Sequence, residues 1–519
     1  MTIDTPSWVR DAVFYQVFPD RFAASPRVPK PGDLEPWDAP PTTHGFKGGD
    51  LLGVVERLDH LEALGVNALY LTPVFASASN HRYHTYDYLA VDPLLGGNDA
   101  LRELLEAAHA RGMRVILDGV FNHASRGFWP FHHVLENGGS SPYRDWFILH
   151  PAVRDGHRML HAYPTHPDPG ASDEPGPPGG EPPRSGSVRR LGYQAWWDLP
   201  ALPKLNVANP GVREYLLGVA EHWLRFGVDG WRLDVPEQID DPAFWREFRR
   251  RCRAVNPEAY LVGEIWHEAP DWLAGDRFDA VMNYPLAEAI ISFTGADSLD
   301  RRVLDRHHEY GPNIHPLDGP GFSDRLGRLL ATYDPAVTAV QLNLLDSHDT
   351  PRFLTIVGGD RSAYRLAVLL QATLPGAPCT YYGDEVGMEG HHDPDCRRAF
   401  PTDDRTWDHE LLKFVGAAFG LRRGAPPLRA DRLEIVAAVG GALAFLRGDD
   451  PAAWLVAVNA GRTAVALTAR VPAGARYRPL GLPGWGPGAG AGDAVLTADA
   501  DGLLALSVPA RQGLVLQPA

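Results

Sequence analysis

From residue 11 to about residue 425, short β-branched or aromatic runs alternate with amphipathic stretches, and this alternation restricts the fold more than any other feature of the chain. Repeated strand-then-helix patterning is what βα units around a parallel sheet require. Eight strands are read: Val13–Phe18, Ala68–Val74, Arg114–Val120, Gly230–Val235, Tyr260–Ile265, Ala280–Tyr284, Val340–Leu345 and Pro378–Tyr382. Helix-like segments at 53–64, 98–111, 211–226, 242–254 and 361–374 lie between them. Eight such strands predict an α/β chain built as a (β/α)8 TIM barrel, whose chemistry sits on the loops at the C-terminal strand ends.

Two segments fall outside the alternation. Strands three and four are separated by about 90 residues more than a simple βα connection needs. Residues 124–208 are therefore read as an inserted subdomain after strand three, with a mobile loop at the Pro/Gly-rich run Pro164–Gly186. That run reads equally well as a spacer with no part in binding. After residue 428, Ile435–Leu446, Trp454–Asn459, Ala464–Val471 and Leu503–Leu516 read as short strands broken by Gly and Asp turns. They predict a C-terminal antiparallel β-sandwich over 428–519, leaving 1–123 and 209–427 for the barrel.

Composition excludes several classes. With 44% hydrophobic and 22% charged residues, and no apolar run approaching a membrane span, the chain is of globular type and no membrane partner is expected. The start, Met-Thr-Ile-Asp-Thr-Pro-Ser-Trp, shows neither a basic nor an apolar leader segment, so a cytoplasmic location is expected. Three scattered cysteines, Cys252, Cys379 and Cys396, fit neither a disulfide framework nor a zinc cluster. A net charge of −16 repels phosphate backbones and excludes nucleic acid as the expected partner. It does not affect binding of neutral sugars.

Three acidic motifs end predicted strands four, five and seven: Gly-Trp-Arg-Leu-Asp at 230–234, Gly-Glu-Ile-Trp at 263–266 and Leu-Leu-Asp-Ser-His-Asp at 344–349. One carboxylate closing a strand is commonly a helix cap or a loop ion pair. Three on the catalytic end of one barrel read as a glycosidase site. Cleavage with retention needs one carboxylate to attack the anomeric carbon and a protonated carboxyl about 5–5.5 Å away to protonate the leaving oxygen. Asp234 and Glu264 are the candidates for that pair. Asp349 is a third carboxylate whose role the residues alone leave open between charge stabilisation and substrate hydrogen bonding. Arg232, two residues before Asp234 and on the same strand face, is expected to hold the Asp234 pKa low. Ile265 and Trp266 are expected to raise that of Glu264 if they shield it from water.

In this order the motifs resemble those of the α-amylase family of retaining glycoside hydrolases. Asp118-Gly-Val-Phe-Asn-His123 is similar to the first family region, and the three acidic motifs to the second, third and fourth. Leu202-Pro-Lys-Leu-Asn206, with Trp196-Trp-Asp-Leu-Pro before it, is similar to the neopullulanase, cyclomaltodextrinase and maltogenic amylase branch. The resemblance implies a hydrolase of α-1,4 and possible α-1,6 bonds in maltodextrins, cyclodextrins or related α-glucans. Its alternative is an α-glucanotransferase that forms the same covalent intermediate. The resemblance also implies roles: Asp234 as nucleophile, Glu264 as acid and then base, and Asp349 holding hydroxyls of the cleaved ring. Around that ring it places His81, Tyr83, His123, Arg232, His348, Asp393 and Arg397, with Tyr83 stacking under the ring and Asp393 and Arg397 gripping the donor side. Asp118 is read as a brace for Arg232. Trp266 and Trp197 are read either as stacking platforms or as core.

Three departures from the branch pattern stand out. Relatives usually begin with an extra β-domain that builds a dimer, whereas strand one here starts within about fifteen residues of Met1, so a monomer is expected. After the nucleophile the relatives tend to carry Val-Ala-Asn-Glu, where this chain has Val235-Pro-Glu-Gln238. The Asp/Asn-rich calcium loop after strand one is replaced by Ala23–Gly32, which offers few oxygen ligands for a hard cation. Asn122 matches a calcium ligand of other members, but one ligand does not make a site. No cofactor is expected.

Overall fold

The computed structural model describes residues 3–163, 186–485 and 495–519. Eight parallel strands form one sheet: β1 (Phe14–Val17), β2 (Ala68–Leu71), β3 (Arg114–Gly119), β4 (Gly230–Leu233), β5 (Tyr260–Gly263), β6 (Ala280–Val281), β7 (Leu342–Asn343) and β8 (Ala377–Tyr381). Its spatial order is β6-β5-β4-β3-β2-β1-β8-β7. The two edges meet through a parallel bridge between Met282 and Leu342, where Asn283 N–H donates to Leu342 O at 2.8 Å. The sheet is thus a closed (β/α)8 barrel. Every residue of β1, β2, β4 and β5 is buried, as strands filled inside and covered by helices outside must be.

Local chemistry sets the element ends. Asn209, Asp241 and Asp360 cap helices Pro210–Phe226, Pro242–Val255 and Arg361–Thr373 by accepting backbone N–H groups of the first turn. Gly230 opens β4 because a Cβ there would meet Tyr260 O at 2.2 Å on the adjoining strand. Strand six is shorter than predicted. It ends at Val281, and Tyr284 starts the helix Tyr284–Thr294, with Pro285 in the first turn, where a missing N–H costs nothing. Elements not read from sequence include the helices Tyr284–Thr294, Gly319–Thr332 and His409–Gly424, and an antiparallel hairpin of Phe75–Ser77 with Thr85–Val91 after β2.

Residues 124–163 and 186–208 join the β3 end through the antiparallel bridge of His123 to Lys204 and are tied to each other by the bridges of Phe147 to Leu205 and Leu149 to Tyr193. The loop expected at Pro164–Gly186 lies outside the described residues except for Gly186, which begins a short helix.

The C-terminal region is a six-stranded antiparallel sheet facing a two-stranded one. The stretch Ile435–Leu446, read as one strand, is a hairpin of Leu433–Val439 and Ala442–Arg447. Gly440, at φ 54°, supplies the turn. Leu503–Leu516 is likewise two strands, Leu503–Val508 and Gln512–Pro518. Alternation decides what each face covers. Leu443, Phe445, Val456 and Val458 pack into the core shared with the barrel, while Ala442, Ala444, Leu455 and Ala457 pack against Leu467, Leu504 and Leu506 of the small sheet.

The loop after β1 carries its own cation. Lys30 Nζ lies 3.0 Å from Asp50 Oδ2 and donates to Leu94 O at 2.6 Å. Asp50 also accepts the N–H groups of Ser25 and Gly53. An ammonium thus occupies the oxygens that converge here, and these residues do not fit a calcium ion. Among the described residues no group of three or more His, Cys, Asp or Glu side chains could hold a metal. Lys30→Met should cost about 3 kcal/mol in urea unfolding, because it leaves a buried carboxylate without its cation. Excess EDTA should leave the melting temperature of the parent unchanged; a chelator-induced drop would contradict this account.

Candidate active site

Neighbouring strands bring the acidic motifs together. The register places Asp118 of β3 opposite Arg232 of β4. Past the strand ends the ladder continues, Asp234 N–H donating to Gly119 O at 3.1 Å and Glu264 N–H to Leu233 O at 2.9 Å. The two carboxyls therefore project from adjacent, backbone-anchored positions.

Arg232, with no exposed surface, joins them. Its Nη1 donates to both oxygens of Asp118 at 2.9 Å and to Asp234 Oδ1 at 3.0 Å. Its Nη2 lies 2.9 Å from Glu264 Oε1. Asp118 is further held by the hydroxyls of Tyr70, at 2.7 Å, and Tyr83, at 2.9 Å. Asp234 Oδ2 and His123 Nε2 are buried and make no hydrogen bond within the described residues, which is unusual for buried polar atoms and suits groups that await a substrate.

Val235, directly after Asp234, sits at φ 35° and ψ 54°. A β-branched residue in the left-handed region stores about 1–3 kcal/mol of strain. In this conformation its N–H donates to Glu264 Oε2 at 3.1 Å. Nothing in the sequence signalled it, since a residue before proline is biased to extended backbone.

A second cluster lies across the barrel. His348 Nδ1 is 2.8 Å from the Gln16 side-chain amide, and its Nε2 is 2.5 Å from Tyr83 Oη and 3.0 Å from Asp349 Oδ2. With the Gln16 amide donating, the imidazole proton belongs on Nε2, where the Tyr83 hydroxyl oxygen accepts it while that hydroxyl donates to Asp118. Arg397 contacts Asp349 Oδ1 at 3.2 Å and Asp393 Oδ1 at 3.0 Å, and its Nε donates to His348 O at 2.8 Å. Tyr83 stacks on His348 with centroids 5.5 Å apart, and His81 adjoins Tyr83 at 5.6 Å. His123 stacks on Trp196, and Trp196 on Trp197, so residues of the insertion wall this side. Trp266 lies flat on Tyr284 at 3.7 Å. His307, which the sequence reading did not include, has its Nε2 3.2 Å from Asp349 O; its only sequence signal was proximity to other histidines.

Burial governs the protonation states. It pushes the Asp234 carboxyl well above the ordinary range, with the Glu264 charge adding to it and Arg232 opposing. It raises Glu264 to about 7 against Arg232, with Asp349 adding to it. The expectation that Arg232 holds the Asp234 pKa low is thereby corrected: the guanidinium opposes desolvation without outweighing it. Two such neighbouring carboxyls, both raised by burial and Asp234 further by the Glu264 charge, hold one proton between them at neutral pH and titrate as a pair. Burial lowers His123 to about 3 and His307 to about 4, and drives His81 and His348 well below the usual imidazole value. These rings are neutral hydrogen-bonding groups.

A closed barrel with carboxyls at its C-terminal strand ends is the architecture of a TIM-barrel glycosidase. The pattern described as "Alpha amylase, catalytic domain" matches residues 16–420. A cyclomaltodextrinase of Bacillus sp is 42% identical over 459 residues, 88% of this chain and 73% of that protein. Ttha1563 of Thermus thermophilus superposes with a TM-score of 0.86 at 46% identity, over 99% of this chain and 100% of its own. The debranching enzyme of Nostoc punctiforme does so at 0.82 and 42% identity, over 100% of both chains. The chain belongs to the alpha-amylase family and is a glycosidase of that family.

Removing the shared guanidinium tests its structural part. Arg232→Met should lower the unfolding free energy by about 3–5 kcal/mol at pH 8, because it leaves buried carboxylates uncompensated. At pH 5, where those carboxyls take up protons, the deficit should shrink. Urea unfolding at both pH values reads this, and an equal deficit at both would contradict it.

Proposed function

We propose that the protein is a retaining hydrolase of maltodextrins and related α-glucans that cleaves α-1,4 and, in branched substrates, α-1,6 bonds. The observation that carries the mechanism is one guanidinium shared by Asp234 and Glu264, with Asp234 Oδ2 left free. Arg232 donates a true hydrogen bond to Asp234, which favours the charge there and leaves the pair's proton to Glu264. Asp234 Oδ2 attacks the anomeric carbon while Glu264 gives its proton to the leaving oxygen, yielding a glycosyl ester. Glu264, now ionised, takes a proton from water as the water opens that ester. His123 Nε2, His348, Asp349 and the Asp393–Arg397 pair are suited to the hydroxyls of the cleaved ring. His81 and Tyr83 belong to the same wall. The names of the relatives, cyclomaltodextrinase and debranching enzyme, support the substrate class.

The proposal extends to setting and assembly. The three cysteines are buried free thiols, which suits a reducing cytoplasm. No helix among the described residues is long and apolar enough to cross a membrane. A monomer is proposed, and equilibrium sedimentation giving a dimer would overturn that part.

Timed digestion of maltotriose, maltoheptaose, β-cyclodextrin and pullulan, read by chromatography and anomeric NMR, tests the reaction. Shrinking products with α-configured new reducing ends are expected. Products longer than the starting sugar would assign a glucanotransferase instead. Glu264→Gln should reduce kcat by about 10²–10⁴-fold on unactivated substrates, and Asp234→Asn should abolish turnover with the fold intact by circular dichroism. Because the proton donor must be protonated and burial raises Glu264 to about 7, kcat/KM should fall as pH rises through that value. A profile flat to pH 9 would exclude Glu264 as the acid.

A further inference from the structure

The loops after β7 and β8 carry Asp349 and Arg397 into the site, and a second buried charge cluster joins these two loops. Arg352 of the first loop has no exposed surface. Its Nη1 donates to Tyr382 O at 2.8 Å and to Asp384 Oδ1 at 2.7 Å, and its Nε donates to Cys396 O at 3.1 Å. Its backbone N–H donates to Gly390 O at 2.9 Å. One side chain thus holds two separated points of the loop after β8, Tyr382–Asp384 and Cys396. Cys396 directly precedes Arg397, whose Nε donates to His348 O at 2.8 Å. Burying a guanidinium is costly, and well-packed apolar side chains of like volume often serve a core as well or better. Packing alone therefore does not account for Arg352, whose planar fork fixes three acceptors in one geometry.

The carboxyl on which Arg352 rests is itself held by a proton. Asp346 and Asp384, both buried, are hydrogen-bonded to each other through their side chains. Two carboxyls share such a bond only when one of them is protonated. Asp346 Oδ2 accepts the Phe353 N–H at 2.5 Å, whereas its Oδ1 is buried and meets no fixed donor among the described residues. Burial raises both carboxyls, and the Asp346 charge pushes Asp384 further, well above the ordinary range. Asp384 is therefore the carrier of the proton and Asp346 its acceptor, so the cluster sets one guanidinium against one carboxylate. Around it, burial keeps Tyr310, Tyr364 and Cys379 neutral, and Glu385 is engaged by Tyr15 and His60.

We propose that Arg352, braced by the Asp346–Asp384 pair, is a positioning residue for catalysis: it locks the loop after β8 to the loop after β7 and so sets Arg397 against Asp349. The inference rests on the active-site reading above for the roles of Asp349 and Arg397. Arg352 touches no sugar. It acts through Cys396 and the backbone that follows it, which places the Arg397 guanidinium 3.2 Å from Asp349 Oδ1 and 3.0 Å from Asp393 Oδ1. The proton on Asp384 belongs to the same device, because without it two buried carboxylates would repel each other across the joint between the loops.

Arg352→Met fills similar space and removes the donors. It should lower kcat/KM for maltoheptaose about 100-fold, the cost of misplacing groups at a reacting centre. A double-mutant cycle separates positioning from a general packing loss: in an Arg397→Lys background, where the contact is already loosened, adding Arg352→Met should cost less than about threefold. A loss of about 100-fold in both backgrounds overturns the inference. Asp384→Asn keeps the part played by the proton, its carbonyl accepting from Arg352 and its amide donating to Asp346. It should recover most of the kcat/KM that Asp384→Leu loses, and equal losses overturn the inference. The crystal structure of Arg352→Met reads the placement without turnover: the Arg397–Asp349 contact, 3.2 Å in the parent, should open beyond hydrogen-bond reach, and its retention overturns the inference. If the parent cleaves no α-glucan, the catalytic reading fails while this distance still decides the positioning. Where circular dichroism shows Arg352→Met unfolded, Asp384→Leu takes its place in the cycle and in the crystal.

Discussion

The guanidinium of Arg232 is the group on which the site's arrangement depends. It is fully buried and faces three carboxyls, and no arrangement of that kind is stable unless every partner is held from a second direction. Each is: Asp118 by two tyrosine hydroxyls, Asp234 by its backbone bond to β3, Glu264 by the Val235 N–H and its backbone bond to β4. These anchors come from β2, β3, β4 and β5 and from the hairpin after β2. Pairing of β2 to β5 in register and assembly of the carboxyl cluster therefore depend on each other. A shift of one residue in any of these strands would turn Arg232 or its acids to the opposite face.

The same interaction explains why the site holds its polar groups out of water without losing them to each other. One positive charge among several buried acids leaves the cluster short of compensation, so a proton is retained on the carboxyl pair near neutral pH. A retaining glycosidase needs that state, one carboxyl ionised and its neighbour protonated. The histidines around the pair stay neutral because burial lowers them, which prevents extra positive charge from draining the proton. Charge balance and protonation state are thus set by burial as much as by contacts.

The parts of this design that were legible in the sequence are those governed by period and by local chemistry. The eight strands stood out because buried parallel strands are continuous apolar runs, and Arg232 and Asp234 could be placed on one face because the strand period is two. Element ends were less legible. Ala280–Tyr284 kept an apolar pattern past Val281 while the chain had already turned helical, and the Gly440–Gly441 turn was hidden inside one apolar run. Pairings between distant residues were not legible at all. Gln16 setting the tautomer of His348, Lys30 pairing with Asp50, and His267 meeting Glu237 are products of tertiary closure, and no local spacing encodes them.

The stretch Val235–Gln238 shows how a local departure propagates. Pro236 denies this turn a backbone donor, and Val235 takes a strained left-handed conformation that sends its own N–H to Glu264. The turn is then tied down from both sides: Lys204 Nζ of the insertion donates to Gln238 O at 2.6 Å, and Glu237 meets His267. A strained residue persists only where its surroundings fix it, and here the surroundings are the insertion and the loop after β5. The insertion thus reaches the turn beside the proton donor through Lys204, and the neighbouring His123 through Trp196. The loop that carries the acid, the turn that follows the nucleophile and the insertion after β3 are joined by these contacts, so the Glu264 carboxyl takes its position from all three.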